Sequence, residues 1–119
     1  MKIGGEKEIL HNLPYEAISV TVDKTTEGTI LEDGKKILKA GTIVAGDGAS
    51  IFDDRTKKVK KVTSGASKAD GITLHDVDLT KGNAVVALVY AGTVRSDRVA
   101  EFAEETKAAL PRIQFVKGV

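Results

Sequence analysis

The chain has 119 residues, 18 basic and 17 acidic side chains and a net charge of +1, so no global field draws it onto nucleic acid or an anionic membrane. One domain of this length buries about two-thirds of the surface its unfolded form exposes. The absence of cysteine excludes disulfides, zinc ribbons and thiol nucleophiles, and five scattered aromatics (Tyr15, Phe52, Tyr90, Phe102 and Phe115) are too sparse for a base-stacking platform.

Residues 1–16 open as a polar arm with Gly4-Gly5, then gather Ile9, Leu10, Leu13 and Tyr15 around Pro14 without a clean period. This stretch reads as an arm, either frayed and partly pinned by its apolar residues or ordered as an added strand on a partner. Charges stand where a signal peptide needs an apolar stretch, and no run is long enough to span a membrane, which predicts a protein made and kept in the cytoplasm.

The single β-rich domain is expected over 17–119. Ala17 to Asp23 alternates strictly, with Ile18, Val20 and Val22 on one face, as in a half-buried strand. Short strands follow at Thr29 to Leu31 and Lys36 to Lys39, joined by an Asp33-Gly34 hairpin. The run from Lys39 to Gly48 reads as strand, kink, strand and turn, with glycines where a small barrel bends. Ser50 to Phe52 is expected as a short strand, Asp53 to Arg55 as a polar tip, Thr56 to Thr63 as a strand and Ser64 to Asp70 as a loop.

The stretch from Asp70 to Val94 organises the rest. Ile72 to Leu74 begins an extended run, and Thr80, Lys81, Gly82 and Asn83 reverse the chain. From Ala84 to Ala91 the only polar side chain is the Tyr90 hydroxyl, and an unbroken apolar strand implies burial on both faces. One face fills a β core; the other needs a helix or another subunit as cover. That second possibility makes Val86, Leu88 and Tyr90 candidates for self-association.

One short C-terminal helix is expected from about Arg98 to Leu110, capped by Asp97, with Val99, Phe102, Ala103, Thr106 and Leu110 on one face. Pro111 ends it. Ile113 to Val116 is the last strand. The fold class is therefore mainly β with one short helix, in a small barrel-like single domain.

Candidate chemistry is thin. Gly41 and Gly46 have the outer spacing of a phosphate loop, but Asp47-Gly48 follows where that loop needs Lys and Ser or Thr. Asp76 and Asp78 begin like a calcium loop, yet Lys81 occupies the required Gly position and Ala87 that of the bidentate Glu. His75 falls on the strand face opposite both carboxylates, which argues against a hydrolase or metal centre made of His75, Asp76 and Asp78. Arg55, Lys57, Lys58, Lys60 and Lys61 form the one basic cluster, read as a solvated hairpin before a contact for an acidic protein or for nucleic acid. The expectation is a binding or structural protein, not an enzyme, with no cofactor and no metal.

The segments ADGITLHDVDLTKGNA, VYAGTVRSDRV and KAALPRIQFV resemble the head decoration proteins of tailed bacteriophages, the family typified by the lambda decoration protein and including relatives in phages of Gram-positive hosts. The likeness runs from about Lys35 to the end, and KAGTIVAGDG suits the family's glycine-rich, β-clip-like fold. The resemblance implies a virion protein without catalysis or cofactor. It would bind the outer surface of the expanded capsid, usually as a homotrimer, and clamp neighbouring subunits of the major capsid (coat) protein. Arms of such proteins tend to be disordered when free and to pair with coat β structure when bound. By position this nominates Ile9, Leu10, Leu13 and Tyr15 for capsid contact. The alternative is a stand-alone β-clip module that binds a small molecule or carbohydrate.

Overall fold

A computed structural model describes residues 9–62, 68–99 and 104–116. In chain order the strands are β1 (Leu10–Val22), β2 (Ile30–Glu32), β3 (Lys35–Leu38), β4 (Ile43–Gly46), β5 (Val59–Lys61), β6 (Gly71–Thr73), β7 (Val77–Asp78), β8 (Ala84–Arg95) and β9 (Ile113–Val116). A 3-10 turn (Ser96–Arg98) and one helix, α1 (Glu104–Ala108), lie between β8 and β9. The protein is thus a mainly β single small domain, as its patterning predicts.

The main sheet runs β1-β5-β4-β6-β8-β9, and β1 also pairs with β8. That extra pairing closes β1, β5, β4, β6 and β8 into a ring, with β9 added in parallel to the far end of β8. A smaller sheet, β2-β3-β7, holds the Asp33-Gly34 hairpin, where positive φ values at both residues (52° and 77°) make the tight turn that twisted strands favour.

Alternation along the strands sorts the core into two clusters. Val20 and Val22 of β1, Val44 of β4, Val59 of β5 and Val86 and Leu88 of β8 form the first, which fills the ring. Ile43, Ile72 and Val89, one residue out of phase with those, join Ile9, Val99, Leu110, Ile113 and Phe115 in the second. Gly71 is required where β6 crosses β8, because a Cβ there would lie 2.5 Å from the Val89 carbonyl oxygen and 2.7 Å from Leu88 Cγ.

The expected two-sided burial of the Ala84–Ala91 run is met in part: Val86, Leu88, Val89 and Ala91 are buried, whereas Val85, near the start of the strand, is 67% exposed. On the second face Val89 is covered by Ile9 and the C-terminal segment. Val86 and Leu88 are 6% and 0% exposed and point into the ring, which corrects their assignment as self-association residues.

Other expectations change in extent. The arm does not reach Glu16: pairing with β8 begins at Leu10, because three register irregularities absorb a stretch around Pro14 that has no period of its own. Among the described residues the helix spans Glu104–Ala108. Asp97 lies inside the preceding 3-10 turn, and Phe102 and Ala103 fall outside the described residues. Val99, Thr106 and Leu110 of the expected helical face are nevertheless buried. Ser50 to Phe52 is a turn instead of a strand, and β5 occupies only the middle of Thr56 to Thr63.

Candidate interaction surface

The β1–β8 ladder keeps one register from Ala17↔Val89 to Val22↔Ala84, then slips: Glu16 pairs with Ala91, leaving Tyr90 as an extra residue on β8. A bulge of this kind re-aims a side chain. Tyr90 is half-buried and meets the Phe52 ring edge-on, with centroids 5.3 Å apart and planes at 72°. Arg112, in the turn before β9, stacks its guanidinium 5.6 Å from the Tyr90 centroid and reaches the Glu16 carboxylate at 2.9 Å. Both charged side chains are more than half exposed, so the ion pair contributes at most about 1 kcal/mol; its effect is positional. Beside it, Tyr15, Glu16, Ala91, Gly92 and Arg112 line an open groove of about 320 Å³. Phe52 is 51% exposed and Tyr15 38%. With few aromatics in the chain, three of them at one end of the barrel form its most distinctive surface.

The residues nominated for capsid contact divide here. Ile9 is fully buried in the second core cluster and its carbonyl accepts a hydrogen bond from Arg95 N, so it is a core residue and not a contact surface. Leu10 pairs across to Val94, and Leu13 lies in the irregular stretch between Asn12 and Glu16. Tyr15 is the one of the four that lines the groove, and Tyr90, nominated for self-association, lies under the Arg112 guanidinium that also lines it. Phe52, Glu16 and Arg112 were not legible as partners, since they come from three distant parts of the chain.

Carboxylates elsewhere work inside the fold. Asp70 is 7% exposed and accepts hydrogen bonds from Gly46 N (2.7 Å), Ile51 N (3.0 Å) and Ser50 Oγ (2.7 Å), which pins the turn after β4 to the start of β6. A cleft of about 470 Å³ flanks this pin. Asp53, Asp70 and Lys68 line it with Gly46 and Gly48, and the Asp70 carboxylate already takes the Gly46 amide that a phosphate cradle would offer.

Asp76 accepts from Lys39 Nζ (3.0 Å) and from Ala40 N (2.8 Å), whereas Asp78 turns back to Thr80 N (2.9 Å). The two carboxylates of the calcium-like spacing thus serve different partners. Among the described residues no group of three or more His, Asp or Glu side chains is placed to hold a metal ion.

Asp78 belongs to a repeated motif. Asp23-Lys24-Thr25, Asp54-Arg55-Thr56 and Asp78-Leu79-Thr80 each fold the aspartate onto the threonine two residues on. The threonine backbone and hydroxyl hydrogen bonds hold all three carboxyls below their ordinary range. Asp-x-Thr was a legible turn signal, and it accounts for carboxylates that otherwise suggest chemistry.

The basic cluster is interleaved with acid. Lys60 pairs with Asp47 at 3.4 Å, Arg55 donates to the Ser19 carbonyl at 3.3 Å, and Asp23 and Asp54 sit near Lys58, Lys60 and Lys57. A field so neutralised releases few counterions from a nucleic acid. No helix among the described residues is long and apolar enough to cross a membrane. No protein-family model matches this chain, and neither curated proteins nor solved structures include a significant match to it.

Proposed function

We propose that this chain is a capsid decoration protein of a tailed bacteriophage. In this reading it binds the outside of the expanded shell, associates as a trimer and clamps neighbouring coat subunits, without catalysis or cofactor. The observation that carries the reading is the likeness of ADGITLHDVDLTKGNA, VYAGTVRSDRV and KAALPRIQFV to that family. Those segments supply β6, β7, most of β8 and β9, the spine of the fold.

The architecture suits a mechanical task. A clamp must hold its shape under load, and β8 is hydrogen-bonded to β1, β6 and β9, which fixes it from both sides. The carboxylates with the best claim to chemistry, Asp70, Asp76 and Asp78, are committed to internal hydrogen bonds. The large apolar and aromatic side chains exposed to a partner are Tyr15, Phe52, Ile30, Leu31 and Val85. Many weak contacts of this type, repeated over a shell, add up by effective concentration.

Cosedimentation with shells of the partner coat protein, expanded and unexpanded, tests the proposal. Truncation must stop before Ile9, whose removal would open the core, so the informative variant lacks residues 1–8. Saturable binding of the full chain to expanded shells near one copy per coat subunit, weakened at least tenfold by the truncation, is the expected result. A folded full-length chain that binds neither shell refutes decoration and turns attention to a small-molecule or carbohydrate ligand.

A further inference from the structure

We infer that the groove beside Tyr15 is a binding site for a neutral sugar, with a pyranose ring stacked on the Tyr15 ring and its hydroxyls shared between Glu16 and Arg112. The inference goes beyond the proposed function and stands or falls without it.

The groove brings together the surfaces that a sugar needs. Tyr15 lines it and is 38% exposed, so its ring is a platform for the C–H face of a pyranose. Ala91 and Gly92 also line it and are almost bare of side chain, which lets a flat ring come close to the β8 backbone. Glu16 and Arg112 supply the polar groups. Their contact at 2.9 Å engages one carboxylate oxygen and one guanidinium nitrogen, and both side chains are more than half exposed. The second carboxylate oxygen and the other guanidinium N–H groups remain to hydrogen-bond a ligand.

These groups are held in place before any ligand arrives. Arg112 is fixed from two sides, by Glu16 and by the Tyr90 ring 5.6 Å from its guanidinium, and Tyr90 in turn meets the Phe52 ring edge-on. A guanidinium positioned in this way loses little freedom on binding.

The pairing of charges selects the ligand. Because Glu16 and Arg112 neutralise each other, the groove presents no net charge to a phosphate, a carboxylate or an ammonium group. A proline-rich peptide would also stack on Tyr15, but its backbone offers mainly carbonyl acceptors, which suit Arg112 and leave the Glu16 carboxylate against another acceptor. A hydroxyl both donates and accepts. Neighbouring hydroxyls on one ring can therefore donate to Glu16 and accept from Arg112 without breaking the ion pair. The volume of about 320 Å³ holds one such ring. So open a site binds weakly, with a dissociation constant on the order of millimolar.

Titration of the isolated, isotope-labelled protein, followed by amide NMR, tests this without any shell. The sugars are glucose, galactose, mannose and N-acetylglucosamine, together with the trisaccharides of glucose and of N-acetylglucosamine. The expected result is saturable shifts centred on the amides of Tyr15, Glu16, Ala91, Gly92 and Arg112 with at least one sugar. Tyr15→Ala and Arg112→Ala should each weaken that binding about tenfold or more while the rest of the spectrum stays in place, and Tyr15→Phe, which keeps the ring, should bind like wild type. Tighter binding of a trisaccharide than of its monomer identifies a glycan chain as the source, and equal binding a free sugar; both support the site. The inference is overturned if no sugar of the set moves those amides, if either alanine variant binds like wild type, or if a polyproline peptide moves them in place of the sugars. A chain that decorates shells yet binds no sugar loses only this inference; one that binds sugar yet decorates no shell loses the decoration reading and keeps the site.

Discussion

The two halves of the β1–β8 ladder are built from the same strands and do different things. Between Ala17 and Val22 six successive pairs keep one register, and Val20, Val22, Val86 and Leu88 deliver their side chains into the ring. Between Leu10 and Ala17 the register shifts three times; there Tyr15 and Glu16 line the groove and the bulged Tyr90 meets Phe52. Regular pairing serves packing because period-two alternation puts every second residue on one face. Irregular pairing spends that regularity to aim particular side chains outward. The same strand pair thus yields a core at one end and a surface at the other.

Three measurements would break or sharpen this contrast. The largest effect belongs to the regular half: Leu88→Ala should lower the free energy of unfolding by about 2–5 kcal/mol, since it leaves a cavity in the ring. In the same urea titrations Arg112→Ala, whose ion pair is exposed, should change stability by less than about 1 kcal/mol. Equal effects from the two substitutions would erase the distinction.

Next comes the pin beneath the β4 turn. Asp70→Ala strands the buried Ile51 amide, at a cost of about 1–3 kcal/mol, and the part-buried Gly46 amide at a smaller one. Faster amide exchange at Gly46 and Ile51 than elsewhere in the ring would locate the damage; uniform exchange would mean the pin supports the whole barrel.

The smallest effect is acid sensitivity at the Asp-x-Thr turns. Because Asp23, Asp54 and Asp78 are held below the ordinary aspartate value of 3.8, their contribution is complete above that value and is lost as pH falls through the lower folded values. Thermal unfolding temperature should therefore drop on acidification below about pH 4. Replacing all three with Asn should flatten that limb. An unchanged slope would place the acid sensitivity elsewhere.

Much of this was readable along the chain. The Asp33-Gly34 hairpin, the final strand at Ile113 to Val116 and the burial of both faces around Leu88 and Val89 follow from turn chemistry and local periodicity, although Val85 in the same run is exposed. The patterning could not say what covers the second face, and it nominated Val86 and Leu88 for the outside when closure of the ring put them inside. Nor did it show that Ile9 belongs to the core, or that Glu16, Phe52, Tyr90 and Arg112 meet. Those facts are relations between segments far apart in sequence, settled by how a barrel closes, where its register slips and which buried polar group finds a partner. Local sequence determined the strands and turns; tertiary closure decided which of their faces became core and which became surface.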